Sequence, residues 1–67
     1  MKKVESSNIE AIGYKDGILS VKFKSGNSIY DYAGVNEAEH KAFMAAESKG
    51  SHFAVHIKGR AFKKRDA

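Results

Sequence analysis

The sequence predicts an α+β domain: a three-stranded antiparallel β-meander followed by two helices packed on one face of the sheet, in the order β-β-β-α-α. In the first half of the chain, apolar and polar residues alternate, and turn-forming pairs separate the runs, which is typical of antiparallel strands. From Asn36 onward the alternation gives way to two stretches of helix-forming residues, each followed by a glycine. A chain of 67 residues is long enough for one domain. A three-stranded sheet of this size needs a helical cover to be stable.

Three strands are predicted, over residues 8–14, 18–24 and 28–33. Between the first two runs, the pair Asp16-Gly17 favours a tight hairpin turn, because such a turn requires positive φ angles. Alternation in the second strand places its apolar side chains on one face, which is expected to meet the helices. These side chains are Leu19, Val21 and Phe23.

Two helices are predicted after the strands, over residues 37–48 and 51–58. Asn36 followed three residues later by Glu39 is typical of a capping box at the start of the first helix. The pair Lys49-Gly50 is interpreted as its C-terminal stop, and Ser51 as the cap of the second helix. The residues expected to anchor the second helix are Phe53 and Ile57.

Composition narrows the class of protein. The chain has no cysteine, which excludes disulfides and thiolate metal sites. It contains no apolar run near the roughly 20 residues of a membrane span, and no apolar segment follows the basic N-terminus as in a secretory signal. A cytoplasmic location is therefore expected. The chain is interpreted as a single domain over residues 1–67, with an ordered core over about residues 7–62 and flexible ends.

Charge divides the chain into unlike halves. Residues 1–39 hold five lysines and six acidic residues, whereas residues 40–67 hold seven basic residues and two acidic ones. A one-sided charge of this kind is evidence about binding partners, here anionic ones, rather than about fold. The predicted nucleic-acid-binding residues are Lys49, His52, His56, Lys58, Arg60, Lys63, Lys64 and Arg65. The alternative is a solvated basic tail that keeps the protein soluble.

Three aromatic residues are candidates for contact with bases. Tyr30 and Tyr32 lie two residues apart and so share a face of the third strand. On an exposed face they would form a stacking platform; under the helices they would be core rings. Because the neighbouring strand brings Leu19 and its apolar partners beside them, we expect them in the core. Phe62, among the basic residues, is the third candidate.

Neither a catalytic nor a metal site is predicted. His52 and His56 lie four residues apart and would share a helix face, but zinc takes three or four ligands and no carboxylate lies on that short helix. The serines do not lie in a recognisable nucleophile motif, and Lys63-Lys64 lacks the glycine-rich loop of a phosphate cradle. The chain is therefore expected not to be an enzyme and to need no cofactor.

Several short motifs resemble the KTSC domain, and together they cover nearly the whole chain. The most specific are the central Tyr30-x-Tyr32 and the block Ser48-Lys49-Gly50. The remaining ones are Ser7-Asn8-Ile9, Ile12-Gly13-Tyr14, Val35, Ala46-Glu47, Phe53 and Ile57. The family takes its name from its place at the C-terminus of some lysyl-tRNA synthetases, and it also occurs as a free-standing protein in bacteria and phages.

The resemblance implies a small accessory module without an established function, for which the synthetase context suggests nucleic-acid binding. The chain departs from the family pattern at three places: Asn36 replaces a frequent proline, Ala54 replaces a frequent asparagine, and only Phe62 remains of a tyrosine-rich C-terminal end. We therefore expect a nucleic-acid-binding module, with RNA as the first candidate, that acts through phosphate contact. The alternative is a protein-interaction module without a nucleic-acid role.

Overall fold

A computed structural model describes residues 1–66 and shows an α+β fold, in which helices cover one face of a five-stranded antiparallel sheet. The order of the strands in the sheet is their order in the chain. The elements are β1 (Lys2–Lys3), β2 (Ile9–Lys15), β3 (Ile18–Phe23), β4 (Ser28–Tyr32), α1 (Glu37–Ala45), α2 (Lys49–His52), which continues as a π-helical turn over Phe53–Ile57, and β5 (Phe62–Asp66).

The α+β class and the three predicted strands are confirmed, but the count of three strands is wrong. β1 adds a short strand beside β2, and β5 returns after the helices to pair with β4, with Tyr32 opposite Phe62 and Ser28 opposite Asp66. The segment expected to be a flexible basic end is thus the edge strand of the sheet. Its mostly charged residues show no apolar alternation, so its strand character comes from pairing with the free edge of β4.

The hairpin between β2 and β3 has the turn that the sequence predicts. Asp16 has a φ of 51° and Gly17 a φ of 79°, and two consecutive positive values are typical of the tight turn that matches the twist of paired strands. The register places Leu19 opposite Tyr14. Near the start of β2 the ladder shifts between Ile9 and Ala11, which is a β-bulge that admits one extra residue.

The capping box at Asn36 is confirmed: its side-chain oxygen accepts a hydrogen bond from the Glu39 N–H at 2.8 Å, and the Asn36 N–H donates to the Glu39 carboxylate at 3.4 Å. The boundary between the helices is different from the prediction. α1 ends at Ala45, and Ser48 caps α2 by accepting from the Ser51 N–H at 3.2 Å. Gly50 therefore lies inside a helix rather than at a stop.

The core lies between the sheet and the helices. Phe43 is the only fully buried residue that α1 contributes among the residues described; Met44 is partly buried, and Ala38 and Ala42 are exposed. The buried cluster consists of Ile9, Ile12, Leu19, Val21, Tyr32, Val35, Phe43, Phe53 and Ile57. Within residues 1–66 we find no helix whose length and apolarity would suit a membrane crossing.

Candidate nucleic-acid interface

The pairing of β5 with β4 divides the basic segment between the two sides of the sheet. Phe62 lies opposite Tyr32 and Lys64 opposite Tyr30, on the side that the helices cover. Lys63 and Arg65 alternate with them and lie on the other side, which we call the open face. The predicted basic residues of the C-terminal end therefore do not form one continuous patch.

Both arginines of the candidate set are engaged in ion pairs. Arg65 Nε donates to Asp31 Oδ2 at 2.6 Å, and Asp31 also accepts from the Ser20 hydroxyl at 2.6 Å. The hydrogen bond from Arg65 holds the pKa of the Asp31 carboxyl below its usual value, and that from Ser20 acts in the same direction. Arg60 pairs with Glu39 and so ties the end of the helical layer to the first turn of α1.

Lys49 and His52 also make intramolecular contacts. Lys49 Nζ donates to the Ala46 carbonyl at 2.5 Å. The His52 ring lies nearly parallel to Phe43, with 5.3 Å between centroids, and burial lowers its pKa, helped by the charges of His56 and Lys49. Four of the eight predicted basic residues thus have structural roles within the fold.

The other four candidates are exposed and make no ion pair among residues 1–66. They are His56, Lys58, Lys63 and Lys64. Lys63 and Lys64 are adjacent on the edge strand, whereas His56 and Lys58 lie at the end of the helical layer. The adjacent exposed lysines of the candidate site therefore lie on β5, whereas Lys49 and His52 of the second helix are engaged within the fold.

The candidate aromatic residues form a cluster at β4 and β5 in which solvent exposure increases from Tyr32 to Tyr30 to Phe62. Tyr32 is buried, with 4% exposure, so the expectation of a core ring is confirmed there, and Tyr30 is half-buried. Phe62 is 52% exposed, and its centroid lies 5.3 Å from that of Tyr30 and 5.4 Å from that of Tyr32. Lys64 Nζ lies 5.9 Å from the centre of the Tyr30 ring. The Phe62 ring is therefore exposed, and the Lys64 ammonium lies over the neighbouring half-buried ring of Tyr30.

The open face also carries basic residues from the first half of the chain, which are absent from the set of predicted binding residues. The register aligns Lys3, Ala11, Lys22, Ile29 and Arg65 in one row across all five strands. The alternation of Lys22 with apolar neighbours on β3 was a visible signal. That signal does not predict a row of basic residues, because the ends of the row come from β1 and β5, and neither strand is predicted from the sequence.

Two motif blocks that are distant in sequence meet at the end of the domain. The Ser6 and Ser7 hydroxyls donate to Asn8 Oδ1 at 3.3 and 3.2 Å. A Cβ atom at Gly50 would lie 3.0 Å from that same oxygen. The start of β2 and the start of α2 thus approach so closely that glycine suits this position of α2, and the contact gives both blocks a packing role.

Among residues 1–66, no group of three histidine or acidic side chains is placed to hold a metal ion.

Comparison with known proteins agrees with this fold. The family model described as the KTSC domain matches residues 5–62. A crystal structure of a KTSC domain protein from Yersinia pestis matches with 41% identity and a TM-score of 0.79, covering 98% of this chain and 93% of that one. Comparison with curated proteins gives no match. The extent of the family match and the identity to that structure lead to one conclusion: the chain belongs to the KTSC domain family.

Proposed function

We propose that this domain is a nucleic-acid-binding accessory module, with RNA as the first candidate, and that β5 is central to its binding surface. The observation that carries this is the exposed Phe62 ring on an edge strand, with Lys64 on the same side of the sheet and Lys63 on the open face. Lysines contribute phosphate contacts that do not depend on base sequence. An exposed aromatic ring offers a stacking partner to one unpaired base.

The contacts within the fold determine which basic side chains of the C-terminal segment are available to bind phosphate. Arg60 is paired with Glu39, and His52 is packed on Phe43, so binding a phosphate there would break an existing interaction. Lys63 and Lys64 form no ion pair among residues 1–66. The occurrence of the family at the C-terminus of some lysyl-tRNA synthetases supports RNA over DNA.

Fluorescence anisotropy with labelled tRNA and with a single-stranded oligonucleotide, at two salt concentrations, tests the proposed function. The double variant Lys63→Gln/Lys64→Gln should make the slope of log K against log salt shallower by about 1.4, at about 0.7 per lost contact with a single strand. Phe62→Ala should weaken binding of the single strand by about 1–3 kcal/mol and binding of a duplex much less. Absence of binding at low salt, or an unchanged salt slope in the double variant, would refute the proposed function.

A second candidate function is protein interaction through the same strand. β5 is an edge of the sheet, so its outer N–H and C=O groups are available to an added strand. A pull-down from lysate, with and without nuclease treatment, separates the two functions. A partner that is retained after nuclease treatment supports protein interaction, whereas one that is lost was bound through nucleic acid.

A further inference from the structure

The surplus positive charge of the molecule lies on the open face of the sheet. Strand alternation places six basic residues and two acidic residues there, whereas the rest of the chain holds six of each. The basic residues are Lys3, Lys15, Lys22, Lys24, Lys63 and Arg65, and the acidic ones are Glu10 and Asp31. Asp16 borders the face at the turn beyond β2, which leaves the face strongly basic.

The two acidic residues on the open face are already neutralised by neighbours. Lys22 Nζ lies 3.0 Å from Glu10 Oε2, and Arg65 pairs with Asp31. The hydrogen bond and charge of Lys22 hold the pKa of Glu10 below its usual value, and the charges of Lys3 and Lys24 add to this effect. Lys22 therefore pairs with Glu10, and Lys3 and Lys24 act on the same carboxylate through their charge, so positive charge exceeds negative charge around it.

Four of the basic residues are exposed and form no ion pair among residues 1–66. These are Lys3, Lys15, Lys24 and Lys63. They surround the centre of the open face. There Ala11 and Ile29 are each only 7% exposed and lie beside Lys22 and Arg65. With strands about 4.8 Å apart, the row from Lys3 to Arg65 spans roughly 19 Å, a platform with unpaired cations at its margins.

Among residues 1–66, no aromatic ring lies on the open face. The register places Tyr14, Phe23, Tyr30, Tyr32 and Phe62 on the side that the helices cover, and Phe43 and Phe53 belong to the helical layer. Sheet-based RNA-binding modules use aromatic side chains on the sheet to stack bases. This face therefore suits the phosphate backbone, and among residues 1–66 it offers bases no aromatic ring on which to stack.

We infer that the open face of the sheet, and not the C-terminal segment alone, carries the phosphodiester backbone of a bound nucleic acid. This rests on the proposed function and extends its surface to Lys3 and Lys24, which lie in the acidic half of the sequence. Phosphate contact without stacking binds with little base preference and a steep dependence on salt. Single and double strands are both accepted, and Phe62, on the opposite side of the edge strand β5, adds a contact for single strands alone.

A pair of charge-matched variants tests this inference. Lys3→Gln/Lys24→Gln removes two cations from the open face, and Lys2→Gln/Lys41→Gln removes two exposed lysines that lie elsewhere. Anisotropy titrations against a labelled single-stranded oligonucleotide between 50 and 200 mM salt compare the two with the parent. The open-face variant should bind about 10- to 30-fold more weakly near 0.1 M salt, with a slope shallower by about 1.4, while the control changes less than about threefold.

The outcomes separate this inference from the proposed function. If the parent does not bind at low salt, both fail. If Lys63→Gln/Lys64→Gln loses binding while Lys3→Gln/Lys24→Gln matches its control, the proposed function stands and the extension of the surface to Lys3 and Lys24 is overturned. Poly-glutamate of matched charge serves as a competing polyanion, and equally tight binding to it would overturn the assignment to nucleic acid.

Discussion

Phe43 provides the most direct test of how the helices cover the sheet. Phe43→Ala removes a ring with 0% exposure whose centroid lies 5.3 Å from that of His52. Truncating a fully buried phenylalanine costs about 3–5 kcal/mol. At about 0.05–0.15 kcal/mol per residue, a domain of 67 residues has a total stability of roughly 3–10 kcal/mol. We therefore expect Phe43→Ala to remove about a third or more of the total stability, and to unfold the domain if that total lies near the lower end of the range.

Urea denaturation followed by circular dichroism measures these losses. Phe43→Leu keeps most of the apolar volume and should lose less than about 1.5 kcal/mol, so a value remains measurable if the alanine variant does not fold. Phe62→Ala makes the same chemical change at a ring that is 52% exposed and should cost about 1 kcal/mol. Equal losses for the two alanine variants, or a loss below about 2 kcal/mol at Phe43, would refute this account of the core.

Two further predictions concern pH and the attachment of β5. Because burial against Phe43 lowers the pKa of His52, the unfolded chain takes up a proton there more readily, so the free energy of unfolding should decrease as the pH falls through about 6.5. His52→Gln should flatten this dependence in denaturation curves measured from pH 7.5 to 5.5, and an unchanged dependence would contradict it. The pKa of Asp31 is lowered by Arg65 and Ser20, so its contribution is present above about pH 4 and lost as the pH falls further. Asp31→Asn should remove that part of the acid sensitivity and speed amide hydrogen exchange in β5, and exchange rates equal to the parent's would show that the ion pair does not hold the strand.

Local signals predicted the parts of the fold that depend on neighbours in the chain. The turn at Asp16-Gly17 and the capping box at Asn36 each need only a few adjacent residues, and both were predicted correctly. β5 depends on a partner thirty residues away, with Phe62 opposite Tyr32. Its charged sequence has no alternation of its own, so only the free edge of β4 makes it a strand.

The candidate site shows the same limit. Dividing the sequence into an acidic and a basic half placed the charge on the C-terminal segment, whereas strand alternation distributes it by face. Lys3 and Arg65 come from opposite ends of the chain and lie in one row. Lys64 and Arg65 are neighbours in sequence and lie on opposite sides of the sheet. Which lysines act together is therefore a property of the register, which the sequence pattern alone does not specify.

The strand order has a consequence for how the molecule folds. From β1 to β4 every pairing joins strands adjacent in the chain, which favours rapid formation. The β4–β5 pairing must close a loop that contains all the helices, at a greater entropic cost. We expect β5 to dock last and to detach first, so that its amides exchange hydrogen before those of β3 in the native protein. The row from Lys3 to Arg65 would then be complete only in fully folded molecules, and a truncated or nascent chain that lacks β5 would carry an incomplete surface.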